Sequence, residues 1–188
     1  MNEKVLIIGA GHGLSTSIAR LFAAKGMKVG LAARNIEKLA ALADEIGAST
    51  FTCDASDPDA VVELFKAFGT DIGCPDILVY NPSSRVRGPI TEIDAAATKD
   101  AILVSAYGAF LAAQQAAIRM LKAGSGTMLF TGASAGVKGY PRSASFAMGK
   151  FALRGLCQSL ARELSPQNIH VAHFVIDGHI HNKQRDEP

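Results

Sequence analysis

Residues 9–15, Gly9-Ala10-Gly11-His12-Gly13-Leu14-Ser15, form a glycine-rich turn that decides the fold of this chain. The apolar run Val5-Leu6-Ile7-Ile8 precedes the turn, and a helical spacing of apolar residues begins at Leu14. Glycine permits a tight backbone turn, and the free N–H groups at a helix start attract an anion. A strand, a glycine turn and a helix in this order predict a site for the phosphates of a dinucleotide. A structural turn without a ligand is the alternative interpretation.

Short apolar runs alternate with longer segments of helical period along the chain. This alternation is typical of βαβ units around a parallel sheet whose strands are buried on both faces. We therefore predict one Rossmann-type, doubly wound α/β domain that covers residues 1–188. The predicted strands are residues 4–9, 28–33, 49–54, 76–81, 127–131 and 170–176. Because the pattern stops after Ile176, we expect the last strand of such a sheet to be missing from the chain.

Helical periods fill the gaps between these strands. The first helix places Ile18, Leu21 and Phe22 on one stripe, and Asn35 and Ser145 are predicted N-caps. Residues 101–122 form an alanine-rich helix with a face of small residues that lets another backbone come close. That face consists of Ser105, Gly108 and Ala112, and the stripe on the last helix consists of Leu153, Leu156, Cys157, Leu160 and Leu164.

Composition excludes several classes of function. The net charge is +2, from 19 basic and 17 acidic residues without a basic run, so neither a nucleic acid nor a membrane surface is an expected partner. The three cysteines, Cys53, Cys74 and Cys157, contain no Cys-x-x-Cys pair and suit reduced thiols. We expect a soluble, cytoplasmic protein. The histidines near the end of the chain lack the carboxylate or cysteine that would complete a metal site, so no metal is predicted.

The end of the second strand indicates which dinucleotide binds. In dinucleotide-binding folds an acidic side chain here selects NAD, whereas a basic one accommodates the 2′-phosphate of NADP. The chain has Ala33 followed by Arg34, and His12 in the turn adds a second basic group. These residues favour NADP over NAD. A solvated residue at a helix start is the alternative interpretation of Arg34.

By these features the chain resembles the short-chain dehydrogenase/reductase family along essentially its whole length. The family's glycine turn is similar to residues 9–15, with Ser15 in place of the third glycine. The resemblance implies that Asp54 and Ala55 contact the adenine ring, and that Asn81 matches the second asparagine of the family's motif after the fourth strand. It implies that Gly178 and Ile180 hold the nicotinamide end. The full set of implied cofactor-binding residues is Gly9, Gly11, His12, Gly13, Leu14, Arg34, Asp54, Ala55, Asn81, Lys150, Gly178 and Ile180.

The active centre departs from the family pattern. The family uses an asparagine, a serine, a tyrosine and a lysine, and only Lys150 is kept here. Phe146 stands where the tyrosine would be, Ala133 replaces the serine and Ser105 replaces the asparagine. Because phenylalanine has no proton to give, the family's usual proton donor is missing. The resemblance still implies that Lys150 binds the ribose of the nicotinamide.

Three outcomes are open at such a centre. Other hydroxyls, of Ser134, Ser145 or Tyr140, substitute for the lost donors; we name Lys150, Ser134 and Tyr140 as catalytic candidates. Alternatively, the small-molecule substrate is a conjugated C=C compound that needs no tyrosine, or the protein binds NADP without chemistry. The resemblance also implies a homodimer or homotetramer, assembled through the helices at residues 101–122 and 145–164.

Overall fold

The computed structural model describes residues 3–178 and residue 180. These residues form a six-stranded parallel sheet in the order β3-β2-β1-β4-β5-β6. The strands are β1 Lys4–Ile8, β2 Lys28–Ala33, β3 Ser49–Thr52, β4 Ile77–Tyr80, β5 Gly126–Thr131 and β6 Ile169–Phe174. The α-helices are α1 Leu14–Ala24, α2 Ala40–Ile46, α3 Pro58–Asp71, α4 Ala95–Ile102, α5 Gly108–Ala123 and α6 Ala144–Leu164. Three 3₁₀ turns lie at Glu37–Leu39, Ser134–Gly136 and Ser165–Gln167.

The Rossmann-type fold is confirmed, and each predicted strand is present. Of the twelve strand ends, five match the prediction and five differ from it by one residue. Two strands end two residues earlier than predicted, β3 at Thr52 and β6 at Phe174. After Phe174 the chain still follows β5, because the N–H groups of Gly132 and Ser134 donate to the carbonyls of Phe174 and Ile176 at 2.8 and 3.0 Å.

The pairing of β1 fixes the point at which the order of strands along the sheet reverses. β1 pairs in parallel with β2 on one side and with β4 on the other, so all the carboxyl ends of the strands meet at one edge of the sheet. The chain builds outward from β1 in both directions, and the crevice above the β1/β4 pair is where open α/β sheets bind ligands. The glycine turn leaves this crevice after β1, and the loop at residues 81–88 leaves it after β4.

Two apolar layers cover the two faces of the sheet. Successive side chains of a strand point to opposite faces, so Val5 and Ile7 join one layer while Leu6 and Ile8 join the other. The first layer packs on α1 and α2, and the second packs on α3, α5 and α6. Of the predicted stripe on α6, Leu153, Cys157 and Leu164 are buried, and Leu156 and Leu160 pack against them.

Three predictions about the helices are wrong: the burial of Leu21 on α1 and the cap roles of Ser145 and Asn35. Leu21, expected on the buried stripe of α1, is 55% exposed, because Ile18 and Phe22 already cover the sheet. Ser145 is not an N-cap: α6 begins at Ala144, and Ser145 lies inside its first turn, where its hydroxyl bonds a distant loop instead. Asn35 is not an N-cap either: Ile36 holds that position in the 3₁₀ turn, and the Asn35 side-chain oxygen accepts a hydrogen bond from the Glu37 N–H at 2.9 Å.

The predicted helix at residues 101–122 is interrupted by a π-helical turn at Leu103–Tyr107 between α4 and α5. The wider turn presents the carbonyl of Val104 to the buried Tyr80 hydroxyl, which donates to it at 2.6 Å. By composition alone the run from residue 95 to 123 is long and apolar enough to cross a membrane. In this fold part of the run lies in the core, including Ala112, Ala116 and Met120, while Phe110, Ile118 and Leu121 are exposed.

The small-residue face of this helical run packs within the chain. A Cβ atom at Gly108 would collide with the carbonyl of Ala55 and with the Tyr80 hydroxyl. At Gly149 of α6 a Cβ atom would lie 2.8 Å from the Ser105 Cβ atom. Glycine at these positions therefore sets the approach of α5 to β4 and of α6 to the π-helical turn.

We expect Gly108→Ala to lower the free energy of unfolding by about 1–3 kcal/mol, because a backbone carbonyl cannot move aside for the methyl group. The matched control is Gly155→Ala, on the exposed side of α6 with open space around it. That substitution should stabilise the protein by up to about 1 kcal/mol, since alanine favours the helix. Urea denaturation measures both values, and equal effects of the two substitutions would contradict the close packing of α5.

Candidate active site

The glycine turn is built as the sequence predicts. Gly9 and Gly13 have φ angles of 79° and 104°, which favour glycine. Ser15, at the position of the family's third glycine, folds back onto the turn: its hydroxyl accepts from the Gly11 N–H at 3.0 Å and donates to the Gly11 carbonyl at 2.9 Å. Gly13 stands at the N-cap position of α1 with no side-chain cap. The N-terminus of α1 is therefore built to receive an anion.

Asn81 and Pro82 join the glycine turn to the loop after β4. The Asn81 N–H donates to the Ile8 carbonyl at 3.0 Å, and its side-chain amide donates to the Gly9 carbonyl at 3.4 Å. A Cβ atom at Gly9 would lie 2.5 Å from the Pro82 nitrogen. The structure thus places Asn81 as a support of the turn.

The residues expected around the adenosine lie at the ends of β2 and β3. The Asp54 carboxylate accepts two hydrogen bonds from Ser56, at 2.9 Å from its N–H and 2.6 Å from its hydroxyl. These bonds, with a further contribution from the charge of Arg34, hold the pKa of Asp54 below its usual value. Ala55 is buried against Gly108.

Basic side chains gather beside the glycine turn. His12 and Arg34 are both exposed, and a cavity of about 140 Å³ is lined by His12, Thr16 and Lys38, among others. Arg20, at the same cavity, forms a two-point ion pair with Glu45 at 2.7 Å. His12 and Lys38 therefore face a common space near the start of α1.

Lys150 is the buried cation of the site. Its side chain is 2% exposed, and its Nζ donates to the Thr131 carbonyl at the end of β5, at 2.7 Å. Burial, helped by the positive charge of Arg85, lowers the pKa of the Lys150 amine to about 8. His173 of β6 lies in the same region, and burial and the charges of Lys150 and Arg154 lower the pKa of its imidazole.

Phe146 lies one turn before Lys150 on α6 and is buried. The Lys150 Nζ is 5.7 Å from the centre of its ring. The guanidinium carbon of Arg85 lies over the same ring, 3.8 Å from its centre. The aromatic side chain that stands in place of the family tyrosine is therefore contacted by two cations.

Within the loop at residues 81–88, three hydrogen bonds fasten the residues on either side of Arg85. The Ser145 hydroxyl accepts from the Val86 N–H at 3.0 Å and donates to the Val86 carbonyl at 2.9 Å. The Ser84 N–H donates to the hydroxyl of Ser105, in the π-helical turn, at 3.4 Å. Both serines are buried, so Arg85 lies between two fixed residues of the loop.

The other candidate hydroxyls differ in their burial and in their contacts. Ser134 is half-buried in the 3₁₀ turn after β5, next to Ala133. Tyr140 is 39% exposed, and the contact described for its ring is with the Lys138 ammonium at 5.2 Å. No described contact joins Tyr140 to Lys150, so its role as a donor stays a prediction, as does that of Ser134. Ser145 is committed to Val86 and is a structural anchor.

The segment after β6 is described up to Gly178, together with Ile180. Gly178 has a φ of 134°, and Ile180 is 46% exposed. His179, His181 and Asn182, which the resemblance includes in the nicotinamide-end motif, lie outside the described residues. In the part of the chain that the structure describes, no group of three histidine, cysteine, aspartate or glutamate side chains is arranged to hold a metal ion.

A second cavity, larger than the one beside His12, lies elsewhere. It has a volume of about 440 Å³ and lies at the amino ends of the strands, where Glu3, Asp76 and His170 are among its lining residues. Ligands of open parallel sheets bind at the carboxyl ends. The glycine turn, Arg34 and Lys150 all lie at that edge, and we place the functional site there.

Fold and site together define a Rossmann-type dinucleotide-binding domain with a lysine at its centre. The sequence pattern of the short chain dehydrogenase family matches residues 3–179. The chain is 30% identical to the 3-oxoacyl-[acyl-carrier-protein] reductase MabA of Mycobacterium tuberculosis over 180 residues, which are 96% of this chain and 70% of that protein. The chain therefore belongs to the short-chain dehydrogenase family.

Solved structures agree with this assignment. A short-chain dehydrogenase from Rhodopseudomonas palustris is 37% identical and superposes with a TM-score of 0.89, over 95% of this chain and 86% of that one. An actinorhodin polyketide ketoreductase variant solved with NADPH is 25% identical, with a TM-score of 0.89, over 93% of this chain and 69% of that one. A further relative by sequence is the carbonyl reductase family member 4 of Xenopus tropicalis, which is 26% identical over 96% of this chain and 77% of its own length.

Two residues of this region, Arg85 and Lys38, are not predicted from the sequence. Arg85 lies in a polar loop and its contact with Phe146 bridges a long sequence separation, so no local pattern predicts it. Lys38 is a basic residue four positions after Arg34, and this spacing is the signal that could identify it. Ser145 has a different role from the predicted cap or substitute donor, because its bond to Val86 depends on tertiary structure alone.

The buried amine of Lys150 predicts a pH dependence of stability. Since the pKa is about 8 in the folded protein and 10.5 ordinarily, the unfolded chain binds more protons between these two values. The free energy of unfolding of the wild type, relative to Lys150→Met, should therefore rise with pH across this window, by up to about 3 kcal/mol.

Urea titrations between pH 7 and 10.5 measure this difference. Lys122→Met, which changes an exposed lysine of α5, is the control, and its curve should run parallel to that of the wild type. A constant difference between wild type and Lys150→Met at every pH would show that the Lys150 amine is not desolvated.

Proposed function

We propose that this chain is an NADP(H)-dependent oxidoreductase whose active centre lacks the family tyrosine. Bound NADPH supplies a hydride to a small organic substrate, and the protein positions both. The observation that carries this proposal is Lys150, a buried cation at the same edge of the sheet as the glycine turn. A lysine costs free energy to bury, and a binding role for its ammonium group accounts for its retention beside Phe146.

The cofactor contacts follow from the geometry of that edge. The N-terminus of α1 and the turn at Gly9, Gly11, Gly13 and Leu14 would hold the phosphates. Asp54 and Ala55 would lie beside the adenine, while Asn81 supports the turn. Lys150 would bind the ribose of the nicotinamide, and the backbone of Gly178 and Ile180 would flank its carboxamide.

Charge favours NADP over NAD. Arg34 follows β2 at the position that contacts the adenosine 2′ substituent, where Ala33 offers no carboxylate. His12 and Lys38 line the neighbouring cavity, where the Lys38 ammonium would add positive charge and His12 an N–H donor beside a 2′-phosphate. The ketoreductase of similar fold that was solved with NADPH supports this choice of cofactor.

The substrate is proposed only as a class. Relatives are named as reductases of 3-oxoacyl thioesters and of carbonyl compounds, which are reduced at a C=O group. With Phe146 in place of a phenol, this chain would reduce a carbonyl only if Ser134, Tyr140 or water supplies the proton. A conjugated C=C compound is the other class, because its product can take a proton from solvent at carbon.

A second candidate function is an NADP-binding protein without turnover, which acts as a sensor or as a partner subunit. The observation that favours it is the combined change at three positions of the centre. Ser105 fastens the loop at residues 81–88, Ala133 has no hydroxyl and Phe146 has no phenol. In this case Lys150 would hold the ribose and do nothing more.

Assembly and location complete the proposal. Exposed apolar side chains on α5 and α6 would pack against a second copy in a homodimer or homotetramer; they include Phe110, Ile118, Leu121, Met148 and Phe151. Cys53 and Cys157 are buried free thiols, which agrees with a reducing, cytoplasmic location. Neither nucleic acid nor a membrane is proposed as a partner.

Restoring the two lost hydroxyls tests whether they limit the reaction. We expect Phe146→Tyr with Ala133→Ser to raise the rate of NADPH oxidation by simple ketones by about 10-fold or more, since a positioned acid contributes about 10²–10⁴. Leu21→Tyr, an added phenol on the exposed side of α1, is the control and should change nothing. An unchanged rate in a folded double variant that binds NADPH would mean that these two losses are not what limits carbonyl reduction.

The same assay separates the two candidate functions. NADPH binding to the wild-type protein is titrated first, and its oxidation is then followed with ketones, quinones and enoyl thioesters. Turnover with any of these substrates supports the oxidoreductase. Tight binding of NADPH with no turnover on the whole panel would favour the sensor or partner subunit.

A further inference from the structure

A cavity of about 440 Å³ lies at the edge of the sheet opposite to the proposed cofactor site. Its volume is within the range of about 300–1,000 Å³ that is typical of ligand-binding cavities. The residues that line it lie at the amino ends of β1, β4, β5 and β6 and in the 3₁₀ turn after α6. The glycine turn and Lys150 lie at the carboxyl ends of these strands. The cavity is therefore distinct from the proposed cofactor site.

The cavity is long and narrow. Its lining residues run across four neighbouring strands in the order β1-β4-β5-β6. Three gaps of about 4.8 Å between neighbouring strands give it a length of about 14 Å. We call it the amino-edge groove; its polar lining includes Glu3 and Asp76 at the β1/β4 end, Ser125 and Thr127 at β5, and Ser165 and His170 at the β6 end. The shape suits a linear ligand better than a compact one.

Two carboxylates lie at the β1/β4 end of the amino-edge groove. Asp76 is half-buried, and one oxygen of its carboxylate accepts a hydrogen bond from the Lys4 N–H at 2.8 Å. The backbone of Asp76 is fixed as well, because its N–H donates to the Lys4 carbonyl and its carbonyl accepts from the Thr127 N–H, both at 2.9 Å. Among the described contacts, none engages the second carboxylate oxygen of Asp76 or the side chain of Glu3. These acceptors are available to a ligand.

Two helices end at the other end of the amino-edge groove. α5 ends at Ala123, two residues before Ser125, and α6 passes into the 3₁₀ turn Ser165–Gln167, which ends directly before Asn168. The carboxyl end of a helix carries about half a negative elementary charge, because its last carbonyls have no partners within the helix. With the carboxylates at one end and the helix ends at the other, the groove is negative at both of its ends.

No lysine or arginine is among the described residues that line the amino-edge groove. The side chain of Lys4 lies against Gly73 instead, where its Cε atom would be 3.1 Å from an added Cβ atom. Arg162, in the last turn of α6, donates to the Gln158 carbonyl of its own helix at 2.9 Å. In the described part of the chain, no group of three histidine, cysteine, aspartate or glutamate side chains is arranged to hold a metal ion. The charge of the groove therefore favours an organic cation.

We propose that the amino-edge groove binds a linear polyamine, with one ammonium group at the carboxylates of Glu3 and Asp76 and another at the β6 end. An ammonium group is a compact charge with three hydrogen-bond donors, so it can bind a carboxylate and neutral oxygens together. At the β6 end the acceptors are the hydroxyls of Ser125, Thr127 and Ser165, beside the carboxyl ends of the two helices. This site goes beyond the proposed function, and neither depends on the other.

Calorimetry with three probes tests the proposal on the whole chain. Spermidine is the linear polyamine, hexaamminecobalt(III) is a compact cation of equal charge that also carries N–H donors, and tetraethylene glycol is a neutral chain. The titrations are made in about 0.15 M salt, where long-range attraction between charges is screened. We expect spermidine to bind about 10-fold or more tightly than either of the other probes, because only spermidine combines charge with the length of the groove.

Substitutions locate the site. Asp76→Asn keeps an oxygen that can accept from the Lys4 N–H, and Glu3→Gln changes an exposed side chain, so we expect both variants to fold. Each should weaken the binding of spermidine about 10-fold, because a neutral acceptor replaces a charged one. Thr127→Val removes a hydroxyl without a change of charge and should weaken it about 2- to 10-fold. The control is Asp71→Asn, an exposed carboxylate at the end of α3 away from the groove, which should leave the affinity unchanged.

Four results would overturn the proposal: no saturable binding of spermidine to the wild type, equal affinities for spermidine and hexaamminecobalt(III), an affinity that survives Glu3→Gln and Asp76→Asn, or an equal loss in Asp71→Asn. Thermal unfolding followed by circular dichroism, without ligand, shows that each variant is folded. If Asp76→Asn does not fold, Glu3→Gln and Thr127→Val decide the outcome. The titrations contain no NADPH, so failure of this site and failure of the proposed function are separate results.

Discussion

The contact between Gly9 and Pro82 is the constraint on which the site depends. Gly9 has a φ of 79°, and a Cβ atom there would lie 2.5 Å from the Pro82 nitrogen, so glycine is required for two reasons. The contact exists because β1 and β4 are neighbours in the sheet, at the point where the chain changes direction. It joins the phosphate turn after β1 to the loop after β4. That loop also carries Arg85, which contacts the ring of Phe146 one turn before Lys150. The contact between Gly9 and Pro82 therefore joins the glycine turn to the region of Lys150.

Around Lys150, three positions differ from the family pattern. In the family pattern, an asparagine, a serine and a tyrosine accompany the lysine, and here those positions hold Ser105, Ala133 and Phe146. The Ser105 hydroxyl accepts a hydrogen bond from the loop, and Phe146, which contacts the guanidinium of Arg85, has no proton to give. Lys150 keeps a bond to the Thr131 carbonyl, and its lowered pKa reflects both its burial and the new cation.

Much of the fold could be predicted from the sequence, because it follows from local patterns. Buried parallel strands read as apolar runs, and the glycine turn marks the first crossover, so the family and the six strands were evident. The errors arise where tertiary contacts override local chemistry. Ser145 has the chemistry of a cap, but a long-range bond to Val86 uses its hydroxyl. The π-helical turn at Leu103–Tyr107 leaves no trace in helical periodicity, and the contact of Arg85 with Phe146 depends on how the loop folds back.

Titration of the protein with NADPH and with NADH tests most directly whether it has a functional dinucleotide site. The fluorescence of either nucleotide reports binding. The variant Arg34→Met removes the cation expected at the 2′-phosphate. The control is Lys28→Met, which changes an exposed lysine at the other end of β2. We expect the wild type and Lys28→Met to bind NADPH about 10-fold or more tightly than NADH, and Arg34→Met to lose most of this preference, since a hydrogen bond to a charged group contributes about 1.5–3 kcal/mol. Failure of the wild type to bind either nucleotide would contradict a functional dinucleotide site, and a preference for NADH would contradict the role of Arg34.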